Sequence, residues 1–260
     1  MSLRKPYKTD VFGNAYFIKR LVIFTLGLAT RPRYVRINKT KIEGWENLKN
    51  LPDKQVLFVS NHQTYFAEVV LMYHVFAALR ANRTDIDKNW FYLFSPKLNV
   101  YFVAAIETMK AGILPKLFAY AGSISIKRTW RDAGQNVNRK VDLRDISKIG
   151  DALDNGWVIT FPQGTTKPFV KGRRGTSHIV KKFEPTVVPI VVDGFRRAFD
   201  KKGLRIKKRR SNLSIRFKAP LTIDYSQDSD AILNQLMDAI EQSERFAGRP
   251  LEDPERQIEN

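Results

Sequence analysis

The fold of this chain is decided by the stretch Val56-Leu57-Phe58-Val59-Ser60-Asn61-His62-Gln63-Thr64-Tyr65-Phe66-Ala67-Glu68. Its first apolar residues predict a short buried strand over 55–59. A polar turn follows, and the apolar residues from 67 to 81 predict a helix. A histidine that leaves a buried strand, with a carboxylate on the next element, is a common way to present a general base to a cleft. His62 is therefore the first candidate catalytic residue, and Glu68 is its candidate partner.

Composition and charge limit the classes of protein that this chain can represent. At 260 residues and 43% hydrophobic content it can bury a large core. The absence of cysteine excludes disulfides, thiolate nucleophiles and cysteine zinc sites. The formal charge of +19 and a pI near 10.1 predict an anionic partner, which can be nucleic acid, a membrane surface or a phosphorylated ligand. Imidazole chemistry is limited to His62, His74 and His178, of which the last two are expected to be structural.

Strand and helix patterns alternate along the chain. Predicted strands cover 33–43, 55–59, 90–94, 122–127, 157–161, 186–192 and 213–217. Predicted helices cover 67–81, 98–120 as two helices broken at Pro115, 138–155, 175–183 and 230–245. This alternation, without internal repeats or a clear linker, predicts an α/β fold with a single layered domain, whose mostly parallel central sheet is flanked by helices.

The N-terminal segment is basic and rich in apolar residues. Its longest apolar run, 21–29, is far shorter than the roughly 20 residues that a spanning helix needs. The wider segment 11–30 predicts an N-terminal amphipathic helix, which either lies in a bilayer interface or packs on the domain. A cleavable signal peptide is not expected, because Arg31-Pro32-Arg33 follows and no small-residue cleavage site is present.

Polar motifs follow several of the predicted strands. They are Asn61-His62, Lys127-Arg128 and Pro162-Gln163-Gly164-Thr165-Thr166. In α/β sheets, ligands bind at the carboxyl ends of the strands. The sequence therefore predicts that these motifs line one site.

The order of the motifs resembles the glycerolipid acyltransferase superfamily, whose best-known members are the lysophosphatidate acyltransferases. That family carries an Asn-His-(four residues)-Asp motif, then Gly-x-x-Phe-Ile-x-Arg, then Pro-Glu-Gly-Thr-Arg, then a Val-Pro-Ile-type strand. The similar segments here are Asn61-His62 with Glu68, Gly122 to Arg128, Phe161 to Thr166, and Val188-Pro189-Ile190. The resemblance covers residues 35 to 195.

This chain departs from the family pattern at specific positions. Ala67 occupies the place of the family aspartate, and the acid follows one residue later as Glu68. Gln163 replaces the family glutamate, and Thr166 replaces the arginine. One residue rotates a helical side chain by about 100°, so either the loop after His62 absorbs the extra residue, as we expect, or Glu68 is not the partner.

The resemblance implies acyl transfer. His62 would take the proton from an acceptor hydroxyl or amine as it attacks an acyl thioester, and Glu68 would orient the imidazole. The substrate-binding residues that the resemblance and the neighbouring basic loop indicate are Asn61, Arg128, Gln163, Gly164, Thr165, Thr166, Lys171 and Arg173. Lys171 and Arg173 either replace the lost arginine or meet the phosphates of a coenzyme A donor, and a solvated loop is the alternative.

The expected function is therefore an acyltransferase that moves a fatty acyl group from acyl-CoA or an acyl carrier protein thioester to a lysophospholipid-like acceptor in membrane lipid synthesis. No cofactor and no metal are expected. An anionic membrane surface is the expected macromolecular partner, at the cytoplasmic face of a membrane and as a peripheral or monotopic protein. The seven basic residues within 201–210 suit such a surface.

The expected organisation is an N-terminal amphipathic membrane-association segment at 1–32, an acyltransferase domain at 33–247 and a polar tail at 248–260. Alternative functions are an N-acyltransferase, an acyltransferase for a non-phosphoglycerol lipid acceptor, or a non-catalytic basic protein that binds membranes or nucleic acid. Nucleic acid is not the expected partner, because no nucleic-acid-binding motif is legible in the chain.

Overall fold

The computed structural model describes residues 9–109, 113–126, 131–132, 135–136 and 143–247. The strands are β1 (Lys39–Glu43), β2 (Val56–Ser60), β3 (Val100–Ala105), β4 (Ser123–Ile126), β5 (Arg131–Asp132), β6 (Gln135–Asn136), β7 (Trp157–Thr160), β8 (Thr186–Asp193) and β9 (Asn212–Phe217). The helices are α1 (Tyr16–Pro32), α2 (Glu46–Lys49), α3 (Ala67–Arg80), α4 (Ile106–Met109), α5 (Ile113–Tyr120), α6 (Leu143–Asn155), α7 (Arg174–Phe183), α8 (Phe195–Ala198), α9 (Ser229–Ala239) and α10 (Glu244–Ala247). A π-helix covers Arg33–Ile37, and a 3-10 helix covers Phe91–Phe94.

Within these residues, seven strands form one sheet in the order β1-β9-β8-β2-β7-β3-β4. Neighbouring strands are parallel except for β8 and β9, which pair antiparallel. The central strand β2 lies between β7 and β8, so that Phe58 is opposite both Ile159 and Val188. The predicted mostly parallel sheet is confirmed, and its order places the ends of β2 and β7 side by side.

Both faces of the sheet are covered by helices. Val56 and Phe58 pack into a core with α3, whereas Leu57 and Val59 pack into a second core with α6, α7 and α9. Successive residues of a strand point to opposite faces, so a strand that is covered on both sides needs an unbroken apolar run. Every residue of β2 is buried, as this arrangement requires. The predicted single layered α/β domain is thus confirmed.

Two apolar segments were predicted wrongly. The predicted strand at 90–94 is the 3-10 helix, and Phe91 and Phe94 are largely exposed. The predicted pair of helices over 98–120 begins instead with β3, whose Val100 is opposite Trp157 of β7. Short apolar runs have no periodicity that distinguishes a buried strand from a helix or from a surface patch. Only tertiary pairing separates these cases.

Two element boundaries also differ from the prediction. The segment predicted as a strand over 33–43 starts as a π-helix, in which the Tyr34 hydroxyl donates a hydrogen bond to the carbonyl of Ala67 (2.8 Å). The helix predicted over 230–245 ends at Ala239, and Glu241 turns the chain with φ of +59° before α10. In both places a local tertiary contact or turn overrides a continuous apolar pattern.

Helix α1 packs on the domain through one face. Its Ile23 and Gly27 are buried, while Phe17 and Leu21 are exposed. Lys19 is fully buried, and its Nζ lies 3.4 Å from Asp10 Oδ2. Burial lowers the pKa of Lys19 to about 8, although the Asp10 carboxylate opposes that effect. Across the described residues, no helix combines the length and hydrophobicity needed to cross a membrane.

Candidate active site

The predicted catalytic pair lies at the carboxyl end of β2. His62 follows the strand, and Glu68 lies in the first turn of α3. His62 Nδ1 and Glu68 Oε1 are 2.9 Å apart. A carboxylate can only accept a hydrogen bond, so Nδ1 carries the proton and Nε2 presents the lone pair. The loop between them therefore absorbs the extra residue that separates this chain from the family pattern.

Glu68 is fully buried and highly coordinated. Its Oε1 accepts hydrogen bonds from the backbone N–H of Gln63 (2.7 Å) and Thr64 (2.9 Å), and its Oε2 accepts one from the Thr64 hydroxyl. Burial by itself raises the pKa of Glu68, but the hydrogen bonds and the charge interaction with His62, together with the Thr64 hydrogen bonds, outweigh it and hold the pKa below its usual value. The carboxylate is therefore ionised at neutral pH and fixed in position.

The side chains on either side of His62 bind its loop to β8 and to the start of α8 by hydrogen bonds. Asn61 Nδ2 donates to the carbonyl of Val192 (2.9 Å), and Asn61 Oδ1 accepts from the Val192 N–H (2.8 Å). Gln63 Oε1 accepts from the N–H of Phe195 (2.9 Å), and its Nε2 donates to Asp193 Oδ1 (3.1 Å). Asn61 was predicted to bind substrate, but it is buried and uses its amide to fix the strand end.

The third motif lies next to the pair of His62 and Glu68, which we call the dyad, because β7 neighbours β2. The ring of Phe161 stacks on the imidazole of His62, with centroids 3.9 Å apart. Gly164 has φ of +61° and donates its N–H to the carbonyl of Phe161 (3.0 Å), which makes a tight turn that favours glycine. One face of the imidazole is thereby covered, and access to Nε2 is restricted to the remaining directions.

Residues 163–173 form a loop that we call the basic loop. Gln163 is 1% exposed, and its Nε2 donates to the carbonyl of Val170 (3.0 Å) and to Gln242 Oε1 (3.3 Å). Gln163 was predicted to contact substrate, and its amide makes these hydrogen bonds inside the protein. Lys171 and Arg173, which were predicted to bind substrate, are exposed on this loop.

The remaining predicted substrate-binding residues lie in different surroundings. The Thr165 hydroxyl accepts the N–H of Lys167 (3.3 Å), and the Thr166 carbonyl accepts a hydrogen bond from the Arg196 guanidinium. Arg196 thus brings an arginine close to the position where the family motif has its own. Arg128, predicted to bind the acceptor, lies outside the described residues.

A basic hairpin, residues 199–210, packs against residues 61–66, which we call the His62 loop. The N–H of Tyr65 donates to the carbonyl of Lys201 (3.0 Å). Gly203 has φ of +76°, and a Cβ atom there would lie 2.6 Å from both Ala67 N and Thr64 Oγ1. The basic side chains of the hairpin that were singled out in the sequence are exposed. The glycine is needed for this close approach of the hairpin to the His62 loop.

The other histidines are not part of this site. His74 is buried, with Nδ1 2.8 Å from the Tyr92 hydroxyl and Nε2 3.1 Å from the Thr30 hydroxyl. Burial, reinforced by the charge of Arg31, lowers the pKa of His74 to about 3. His178 is exposed on α7. His74 is therefore a neutral core residue.

An apolar cavity that is partly open to solvent lies between α1 and α3. It is lined by Ile23, Leu26, Gly27, Val69, Val70, Tyr73, His74, Leu93, Phe102, Phe118 and Ala121. Val69 and Val70 directly follow Glu68, and Phe118 stacks on Phe66 of the His62 loop (4.6 Å between centroids). The cavity therefore adjoins the elements that carry the dyad.

Sequence reasoning missed several residues that build the site. Phe161 was quoted only as a motif flank, although an aromatic residue at the end of a strand beside β2 could have indicated stacking on His62. Gln63 and Thr64 lie inside the opening stretch without a recognised role. Gln242 is 79 positions from its partner Gln163, and no local pattern connects the two.

Comparison with known proteins identifies the family. The family model described as Acyltransferase matches residues 39–193, and the chain belongs to this family. The predicted membership of the glycerolipid acyltransferase superfamily is thus confirmed. No curated protein matches the chain.

A solved structure supports the same fold. It is the 1-acyl-sn-glycerophosphate (LPA) acyltransferase PlsC from Thermotoga maritima, with a TM-score of 0.52 and 16% sequence identity over 88% of this chain and 81% of that chain. At this identity the likeness concerns the fold, including the mostly parallel sheet and the N-terminal helix.

Proposed function

We propose that this protein transfers a fatty acyl group from an acyl thioester to a lysophospholipid-like acceptor at a membrane surface, with His62 as the general base. The observation that carries the proposal is the 2.9 Å contact between His62 Nδ1 and the ionised Glu68, at the carboxyl end of β2 in a chain of the acyltransferase family. The finer assignment to lysophosphatidate as acceptor is motivated by the name of the similar structure.

The geometry of His62 is suited to general-base catalysis of acyl transfer. The acceptor hydroxyl oxygen attacks the carbonyl carbon of the thioester while its proton moves to His62 Nε2. The carbon–sulfur bond then breaks, and the proton passes from Nε2 to the leaving sulfur, which gives an ester and a free thiol. Glu68 stabilises the imidazolium that forms between these steps, because its charge lies on the Nδ1 side. Its backbone hydrogen bonds keep it from rotating away.

We assign the fatty acyl chain to the apolar cavity beside α3. A cavity with an apolar lining favours a hydrocarbon chain, since burying each methylene contributes about 0.8 kcal/mol. Val69 and Val70 line the cavity and directly follow Glu68, and we place the carbonyl end of the chain toward the dyad. Gly27 of α1 forms part of the opposite wall.

An exposed aromatic surface supports membrane association. Phe17 of α1 is 78% exposed, and Phe91 and Phe94 of the 3-10 helix are 62% and 56% exposed. Phe24 stacks on Phe94 (5.1 Å) and so joins the two elements. Exposed aromatic clusters of this kind mark interaction surfaces, and aromatic rings favour the membrane interface. We therefore place the protein peripherally or monotopically on the cytoplasmic face, with the basic hairpin toward anionic headgroups.

The test of the proposed reaction compares His62→Ala with His178→Ala. Purified proteins are mixed with radiolabelled acyl-CoA, lysophosphatidate and phosphatidylcholine–phosphatidylglycerol vesicles, and ester product is measured. We expect His62→Ala to lose activity by about 10²–10⁴-fold, the usual contribution of a general base. The exposed His178 serves as the matched control and should leave the rate unchanged. Full activity of folded His62→Ala would refute the proposal.

The acceptor is resolved by a panel in the same assay. Lysophosphatidate, neutral lysophospholipids and acyl amino acids are compared by kcat/KM with one labelled donor. The altered third motif is the reason for considering an N-acyltransferase or a non-phosphoglycerol acceptor as alternative functions. However, Gln163 points inside the loop, so its substitution does not itself argue for a different acceptor. We expect lysophosphatidate to be preferred, and a preference for an amine would favour the N-acyltransferase.

A further inference from the structure

The basic loop is held by a pair of glutamines that are distant in sequence. Gln242 Oε1 accepts two hydrogen bonds from this loop, one from Gln163 Nε2 (3.3 Å) and one from the N–H of Phe169 (3.0 Å). Gln163 also donates to the carbonyl of Val170. Phe169 has φ of +55°, a left-handed conformation that costs a non-glycine residue about 1–2 kcal/mol. Gln242 therefore stabilises the loop where its backbone is strained.

Gln242 is positioned independently of the loop. It follows the C-terminal turn of α9, in which Glu241 is left-handed and the N–H of Gln242 bonds to the carbonyl of Met237 (2.9 Å). Its Nε2 donates to the carbonyl of Glu241 (2.9 Å), which leaves Oε1 directed at the loop. The loop also packs tightly on α9, because a Cβ atom on Gly172 would lie 2.7 Å from Met237 Sδ. Helix α9 is thus a platform for the basic loop.

The two glutamines form a chemically matched set. The family residue at position 163 is glutamate, which has no donor and would place a charge against two acceptors, the carbonyl of Val170 and Gln242 Oε1. Turning the Gln242 amide around would supply a donor to that glutamate but remove the acceptor of the Phe169 N–H. Burying an unpaired charge or an unsatisfied N–H is unfavourable. A glutamine at 163 therefore requires an acceptor at 242.

We propose that Gln163 and Gln242 are positioning residues that hold the basic loop in the shape in which its exposed lysines and arginine meet a phosphate group of the substrate. Gln242 lies outside the residues 39–193 that match the family. The inference rests on the proposed acyl transfer and adds the part of the chain that supports its anion-binding loop. The phosphate belongs either to the acceptor or to the coenzyme A donor, and separate kinetics for each substrate distinguish the two.

The first test measures KM and kcat for Gln242→Ala, Gln242→Glu and Gln235→Ala. Gln242→Ala removes the shared acceptor, so we expect KM for acyl-CoA or for lysophosphatidate to rise about tenfold, the equivalent of one or two lost hydrogen bonds. The value of kcat should change less than about threefold, because the dyad is untouched. Gln242→Glu keeps the acceptor oxygen but loses the Nε2 donor to the Glu241 carbonyl, so it should restore only part of the affinity. Gln235 lies on α9, the helix that precedes Gln242, bonds to the Thr222 carbonyl and is the matched control.

The second test asks whether the glutamines act as one unit. Gln163→Glu should raise the same KM as Gln242→Ala, and the double variant should be no worse than Gln163→Glu alone, since both remove one network. If Gln163→Glu does not fold, Gln163→Ala replaces it in the cycle. Trypsin should cleave the folded Gln242→Ala protein faster after Lys171 than wild type, as measured by mass spectrometry.

The outcomes separate this inference from the proposed function. A rise in acceptor KM assigns the phosphate to the acceptor, and a rise in donor KM assigns it to coenzyme A. Unchanged KM values, a loss of kcat alone, additive effects in the cycle, or no recovery with Gln242→Glu would each overturn the positioning role. In that case an inactive His62→Ala would still support acyl transfer.

Discussion

Replacing Glu68 with glutamine removes the buried charge beside His62 without changing the size of the side chain. An imidazolium about 4 Å from a carboxylate gains about 4 kcal/mol at an effective dielectric constant of 20, the value suited to such sites. Since each 1.4 kcal/mol corresponds to tenfold in rate, kcat should fall about 10³-fold. Glutamine keeps one acceptor oxygen for Gln63 and Thr64, so the loop should stay folded.

The assay for Glu68→Gln is steady-state acyl transfer at saturating acyl-CoA and lysophosphatidate, with thermal unfolding measured in parallel. Glu46→Gln is the matched control, because Glu46 also lies in the first turn of a helix but is exposed. Glu68→Asp should give an intermediate loss, since a carboxylate drawn back by about 1.5 Å cannot serve His62 and Thr64 together. A folded Glu68→Gln protein whose kcat stays within about threefold of wild type would refute the reasoning.

Three further variants test other parts of the structure. Gly27→Val should shift the donor preference toward shorter acyl-CoA chains, because even a Cβ atom there would lie 2.7 Å from Leu93 Cδ2 in the cavity wall; a series of acyl-CoA lengths measures this. Gly203→Ala should lower kcat, because the added Cβ atom presses on the His62 loop. It should also lower the urea-derived free energy of unfolding by at least about 1 kcal/mol, because it strains φ. Between pH 7 and 5, the unfolded state protonates a histidine that the folded state keeps neutral, so His74, with a pKa of about 3, should account for about 2 kcal/mol of lost stability. His74→Gln should abolish this slope and His178→Gln should retain it.

The layered fold was predictable because its central strands are apolar on both faces. A run such as 56–59 cannot be exposed on either side, so it indicates a parallel strand under helices. The same reasoning failed at 90–94, where the apolar residues form an exposed aromatic surface rather than a strand. Hydrophobicity predicts removal from water, but the sequence does not state whether protein or membrane provides the cover.

The site was predictable where its chemistry is local. His62 and Glu68 lie six positions apart, and the hydrogen bonds that fix Glu68 come from the same turn. Gln163 was assigned to substrate because it occupies the place of the family glutamate, whereas its amide points to Gln242 in a different element. Local spacing predicts which residues approach one another within a turn, but only the packing of α9 on the basic loop determines which partner a buried amide meets.

The position of the acid follows from the surroundings of residue 67. Ala67 is buried, and its carbonyl accepts the Tyr34 hydroxyl while Gly203 approaches its backbone N–H. A carboxylate at this position would therefore enter a packed region without room for its solvation or its partners. At position 68 the longer glutamate side chain meets the N–H groups of the preceding turn and still reaches Nδ1 of His62. The position of the acid at Glu68 and the close approach of Gly203 therefore have the same cause, because the basic hairpin occupies the space that an acid at position 67 would need.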